Sequence, residues 1–324
     1  MILFSPTSKL LIRGADPEPG GRRRKPRFVL PFIQMDALFE QAEHHGVLGA
    51  LLDHLSTCAE APSVSAAYAA AKARHRQNVI FSRLLQMEAE ALVASAGDLP
   101  IAVVKGPVFA RKIYPRRDLR SYADIDILAA ESAVPRLSQM LLDKGFFHVD
   151  SLPGSGSREW KWISSSNNAV MVEVQTNLIH TDSMVEHISL GYDLIGASPE
   201  GAAELLLVAL VHGASHHYDR LQLVVDICQA ARNLTETADE IRFEELVRAT
   251  KSRLAAVTGL RLAGRVLRER RCLELARALG GIAYAPLMDT LLTDSVVLSS
   301  TTDRRTLHSW RRSLFRWLVK KDLA

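Results

Sequence analysis

The sequence predicts an α+β protein, a small mixed sheet flanked by an N-terminal and a C-terminal helical lobe. Three observations predict it. From about Phe32 to Ala96 the chain is rich in Ala, Leu, Gln and Glu, which favour helix. Between residues 99 and 180 the pattern changes to short β-prone runs separated by turn residues. After about Ser183 long helix-like stretches return. The expected division is a basic arm at 1–31, a helical lobe at 32–98, an α/β core at 99–180 and a second helical lobe at 181–324.

Residues 14–27, GADPEPGGRRRKPR, combine Pro and Gly with a basic cluster and carry no apolar period, so they read as a flexible arm. That cluster suits a phosphate backbone or an acidic partner, though a solvated tail is the commoner fate of such a run. In the first lobe, breaks are expected at Gly46 and at Ala61-Pro62-Ser63. Leu84, Met87 and Ala91, with Leu85, Glu88 and Leu92 beside them, show the mixed face of a packed helix.

Strands are predicted at Ile101–Val104 and Ile125–Ala129, with a helix between strands marked by Val134, Leu137, Leu141 and Leu142. Phe146–Val149, Trp160–Ile163 and Ala169–Gln175 complete the expected sheet, and Pro153–Ser157 reads as hairpin punctuation. That glycine-containing loop lacks the G-x-G-x-x-G spacing of a dinucleotide site. Helices are expected at Ala202–His212, Leu221–Ala231 and Phe243–Leu267. There is no internal repeat.

At 324 residues the chain exceeds one small core and can bury a site between lobes. Hydrophobic residues make up 48% and charged residues 23%, an ordinary globular mixture that argues against bulk disorder. The net charge of +4 permits anionic ligands without demanding them. Met1–Arg13 has no long apolar stretch ending in a small-residue cleavage site, and Leu205–Val211 is far short of a bilayer span, so a cytoplasmic protein is expected. Cys58, Cys228 and Cys272 show neither metal spacing nor an even disulfide set.

The chemistry concentrates in Val103-Val104-Lys105-Gly106-Pro107 and Arg120-Ser-Tyr-Ala-Asp124-Ile-Asp126-Ile-Leu128. In a strand, side chains two apart share a face, so Asp124 and Asp126 project together while Ile125 and Ile127 enter the opposite, apolar layer. Neighbouring carboxylates repel unless a cation lies between them, and hard Mg²⁺ prefers such oxygen ligands plus substrate phosphates. In Val170-Met-Val-Glu173-Val-Gln175 the valines take one face and Glu173 the other. If that strand lies beside the Asp strand, Glu173 joins the site as a metal ligand or as the base for an acceptor hydroxyl. Gly106 allows close backbone approach before a helical stretch, Pro107 suits the first helical turn, and Lys105 and Arg120 bring positive charge toward the β- and γ-phosphates.

Together these residues resemble the nucleotidyltransferase superfamily. Lys105-Gly106, Tyr114-Pro115, Arg120 and Asp124-Ile-Asp126-Ile-Leu128 look more narrowly like a bacterial family of uncharacterised nucleotidyltransferases. His45-Gly46-Val47, Glu173, Leu210-Val-His212-Gly213 and Asp226 stand in the order that family shows, so the likeness spans roughly residues 35–235. It implies a nucleotidyltransferase-like core that uses metal, two Mg²⁺ or Mn²⁺ ions, and a nucleoside triphosphate. One departure is Gly106-Pro107 in place of the superfamily's Gly-Ser turn, which leaves no serine hydroxyl for a terminal phosphate and keeps a sugar-linked nucleotide open as donor.

The expected reaction is transfer of a nucleoside monophosphate to an acceptor hydroxyl with release of pyrophosphate. The acceptor can be a small molecule, sugar, peptide or protein; nucleic acid is less favoured because basic and aromatic residues do not interleave. Glycosyl transfer from a nucleotide sugar and a non-catalytic nucleotide- or partner-binding scaffold are the alternatives. His212 and His216 share a helix face, yet Gly213 stands where a zinc helix needs its glutamate, so one of them borders the nucleotide cleft or is a structural histidine. Asp226 sits in an apolar run and must be paired, with Arg220 or Arg232 the expected partner. Trp310, Leu314, Trp317 and Leu318 form an apolar stripe among basic residues, expected to dock onto the protein's own body rather than onto lipid.

Overall fold

The computed structural model describes residues 6–17, 32–57, 66–149, 159–166, 170–179, 189–196, 198–280, 285–299 and 307–320. The Arg22–Lys25 cluster, Cys58, residues 61–63 and the 153–157 loop lie outside them. The first lobe comprises α1 (Pro6–Ala15), α2 (Phe32–His44), α3 (Leu48–Ser56) and the long α4 (Ala66–Ala96). The core follows as β1 (Ile101–Val104), α5 (Gly106–Lys112), β2 (Ile125–Ala129), α6 (Val134–Asp143), β3 (Phe146–His148), β4 (Glu159–Ser164) and β5 (Met171–Gln175). The second lobe runs through α7 (Tyr192–Ile195), α8 (Ala202–Ser215), α9 (Leu221–Asn233), α10 (Thr237–Ala249), α11 (Arg253–Val266), α12 (Arg270–Ala278), α13 (Ala285–Leu291), α14 (Asp294–Val297) and α15 (Leu307–Lys320).

The five strands are ordered β1-β2-β5-β4-β3, with β2 and β5 parallel and the other neighbours antiparallel. The fold is therefore α+β with a mixed sheet. Alternation along the strands divides its two faces. Ile125, Ile127, Val172 and Val174 enter one apolar layer with Leu85, Ala89 and Leu92 of α4 and Leu137 and Leu141 of α6. Val104 and Leu128 face the other way, into the larger core built with the second lobe.

Four sequence expectations change. Residues 6–15 are helical, and Leu10, Leu11 and Ala15 are buried, so this part of the expected arm belongs to the core. Asp16 accepts two bonds from Arg232, at 2.7 and 2.8 Å, which ties α1 to α9. Of the expected face of α4, Leu84, Met87 and Ala91 are exposed, while Leu85 and Leu92 are buried and are joined by Ala89. The run 243–267 is broken at Lys251, whose φ of 54° ends one helix before the next begins. Finally, α15 docks through Phe315 and Leu318, while Trp310 and Trp317 of the expected stripe are exposed. In α4 and α15 the run is apolar on more than one side, and burial elsewhere chose between the sides.

The His45-Gly46 turn fastens the first lobe to the last. Gly46 has φ +69°, and a Cβ there would meet the Gln222 side chain at 2.5 Å. His45 Nδ1 accepts from the Leu221 amide (3.3 Å), and the His45 carbonyl accepts from the Gln222 amide (3.0 Å). Burial, reinforced by neighbouring His44, holds the ring neutral and lowers its pKa from 6.5 to about 4. The unfolded chain therefore takes up a proton that the folded one refuses. Stability from this group is complete above pH 6.5 and falls as the pH drops toward about 4, a loss on the order of 2–3 kcal/mol. Urea unfolding across that window should show a shallower pH slope for His45→Gln than for the native chain; equal slopes would refute the assignment.

Candidate active site

The site starts at the β1–α5 turn. Pro107 opens α5, where its missing N–H costs nothing, and Lys105 caps the helix with φ 52° and ψ −126°. A non-glycine residue held there stores strain of about 1–3 kcal/mol. Gly106 cannot be replaced freely either, because a Cβ would lie 3.3 Å from the Tyr122 ring. The turn aims the Lys105 ammonium at Asp126 Oδ1, 2.7 Å away, with both side chains almost wholly buried.

Asp126 and Glu173 are register partners across the parallel β2–β5 pair, and Val104 faces Asp126 from β1. Gln175, two residues along the same face, donates from Nε2 to Asp126 Oδ1 (2.9 Å) and weakly to Glu173 Oε2 (3.4 Å). Its Oε1 is buried with no hydrogen-bond partner. Lys161, the partner of Glu173 on β4, lies 3.3 Å from Glu173 and 3.5 Å from Glu159. Asp124 stands just before β2 and is half-buried. Burial, then the charge of Asp126, raises its pKa to about 6. Burial and the surrounding carboxylates Asp126, Glu159 and Asp124 raise Glu173 to about 7. The two lysines thus leave the carboxylate charge incompletely balanced.

The donors present, three carboxylates and an unpartnered amide oxygen, fit a hard divalent cation by chemistry. Among the described residues no three His, Cys, Asp or Glu side chains are already grouped closely enough to hold one. Asp126 in particular is engaged by Lys105.

Arg120 differs from its expected place beside phosphate. Its Nε and Nη2 form a bidentate pair with Asp226 of α9, both at 2.8 Å, and Nη1 donates to the Gly106 carbonyl at 3.3 Å. The Tyr114 hydroxyl donates to the same Asp226 at 2.7 Å, and the guanidinium lies 5.1 Å from the Phe109 ring centre. Asp226 therefore pairs with neither Arg220 nor Arg232, the latter being taken by Asp16 and Glu269. Arg120 braces the Gly106 turn from behind and joins the core to the second lobe.

His212 is half-buried near the end of α8, its ring 4.6 Å from that of His216. His216, the C-cap of α8, is exposed at its surface yet ringed by protein, which lowers its pKa; Asp219 opposes, and the charges of Lys105 and Asp126 also act on it. Sequence reading passed over Lys161 and Gln175. Their signal was available: Lys161 stands between Trp160 and Trp162, and Gln175 is two positions from Glu173, so alternation puts both on the polar face.

No curated protein and no solved structure matches the chain. The model of a family described as uncharacterised nucleotidyltransferase matches residues 32–268, which take in the carboxylate face, the Lys105-Gly106 turn, the Arg120–Asp226 brace and the His45-Gly46 turn. The chain belongs to this uncharacterised nucleotidyltransferase family.

Proposed function

We propose that the protein transfers a nucleoside monophosphate from a nucleoside triphosphate to an acceptor hydroxyl. The observation that carries this reading is the register pairing of Asp126 with Glu173, beside Asp124, on the sheet face turned toward the second lobe. Asp124 and Asp126 would hold Mg²⁺ or Mn²⁺, which would supply charge neutralisation for the phosphates and the departing pyrophosphate, and of its two candidate roles Glu173 takes that of the base. The acceptor oxygen attacks the α-phosphorus, the bond from that phosphorus to pyrophosphate breaks, and the hydroxyl proton passes to Glu173. Lys105 and Lys161 set the positive charge of the cleft and hold Asp126 and Glu173 in place. Arg120 is a positioning residue: it fixes the Gly106 backbone through its carbonyl. His216 borders the same cleft from just past the end of α8, where its neutral imidazole can hydrogen-bond nucleotide or acceptor.

Calorimetric titration with each of the four triphosphates in Mg²⁺ identifies the donor, and the product's mass separates nucleotidyl from glycosyl transfer. Glu173→Gln preserves shape and removes charge. Nucleotide affinity is expected to stay within a few-fold, while pyrophosphate release falls at least about 100-fold. An unchanged rate would remove Glu173 from the chemistry.

A further inference from the structure

The longest helix carries an apolar seam on its uncovered side. In α4 the residues Ala73, Gln77, Ile80, Leu84, Met87, Ala91 and Ala94 alternate three and four apart, the spacing of a coiled-coil seam. Ile80 is 71% exposed, Met87 56% and Leu84 37%. Ala89, in the core layer, is nine residues from Ile80, which at about 100° per residue puts them on opposite sides of the helix. The seam is therefore not the margin of the buried face. Three large apolar side chains in a row on the solvent side of a rigid helix are a contact surface awaiting a partner.

Charge along the seam selects that partner. Arg76 and Arg83 flank it toward the N-terminus, and Glu88 and Glu90 flank it toward the C-terminus. A parallel copy would set like blocks beside each other. An antiparallel copy brings each basic half against an acidic half and also opposes the helix dipoles.

We propose that α4 pairs with α4 of a second copy of this chain in an antiparallel, two-fold arrangement. Leu84 then packs on Met87 of the other copy and Ile80 on Ala91, with Arg83 opposite Glu90 twice by symmetry. The contact is independent of the catalytic reading, since α4 offers its other face to the sheet.

Sedimentation of the full chain over about 0.1–100 μM should show a monomer–dimer equilibrium. Leu84→Glu and Met87→Glu should each weaken it at least tenfold while circular dichroism and the unfolding midpoint of the monomer stay native, because neither side chain is in the core. Arg83→Glu and Glu90→Arg should each weaken association, and the double variant Arg83→Glu/Glu90→Arg should restore it to within a few-fold. A native chain that stays monomeric throughout would overturn the proposal, as would charge variants that associate like the native chain. Weakening by Glu88→Arg with none by Glu90→Arg would overturn the antiparallel arrangement.

Discussion

Asp126→Asn is expected to abolish Mg²⁺-dependent nucleotide binding and to destabilise the fold by about 3 kcal/mol, whereas Asp124→Asn loses the same binding and gains stability. The difference lies in the partners. Asp126 neutralises the Lys105 ammonium at 2.7 Å, and that lysine side chain is only 6% exposed, so removing the carboxylate leaves a buried charge alone. Asp124 has no such bond; burial and the charge of Asp126 already raise its pKa to about 6, so an amide relieves repulsion worth about 1 kcal/mol. Urea unfolding at pH 7 measures the stabilities, and calorimetry with Mg²⁺ and nucleotide measures the binding. Native binding by both variants would sink the carboxylate site. Equal stability changes would show that the Lys105 pair contributes nothing.

Asp226→Leu alone should cost about 3–5 kcal/mol, since it strands the Arg120 guanidinium and the Tyr114 hydroxyl inside the protein. The triple variant Tyr114→Phe/Arg120→Met/Asp226→Leu replaces the whole cluster with apolar groups of similar volume and should recover stability to within about 1–2 kcal/mol of native. Nucleotide binding should not recover with it, because the Gly106 carbonyl has lost its Arg120 donor. Thermal unfolding and titration on the same preparations separate the two effects. Should the triple variant bind nucleotide normally, Arg120 braces the fold alone and has no part in positioning the turn.

Much of this site is legible in the sequence. Period-two alternation placed Ile125 and Ile127 opposite Asp126, and the valines of β5 opposite Glu173, and the structure has those apolar residues in one layer. Pro107 marked the start of α5. The strands at 101–104 and 125–129 stand where their β-prone runs stood. Such features depend on a residue and its near neighbours, so they survive the loss of three-dimensional information.

Which charges meet was not legible. Lys105 reaches Asp126 and Arg120 reaches Asp226 across 21 and 106 residues, and at that separation any of several acids could have been the partner. The same holds for α4, where Leu84 and Leu85 are equally apolar and adjacent, yet one is exposed and the other buried. Residues 6–15 were read with the Gly- and Arg-rich segment that follows them, although Leu10 and Leu11 become core once α3 and α9 lie beside them. The sequence by itself determined the α+β pattern, the carboxylate-bearing strands and the family. The tertiary structure decided the pairings of the buried charges and the side of each helix that faces water, because both depend on surfaces contributed by distant segments, and burial energy belongs to the assembled surface rather than to any one segment.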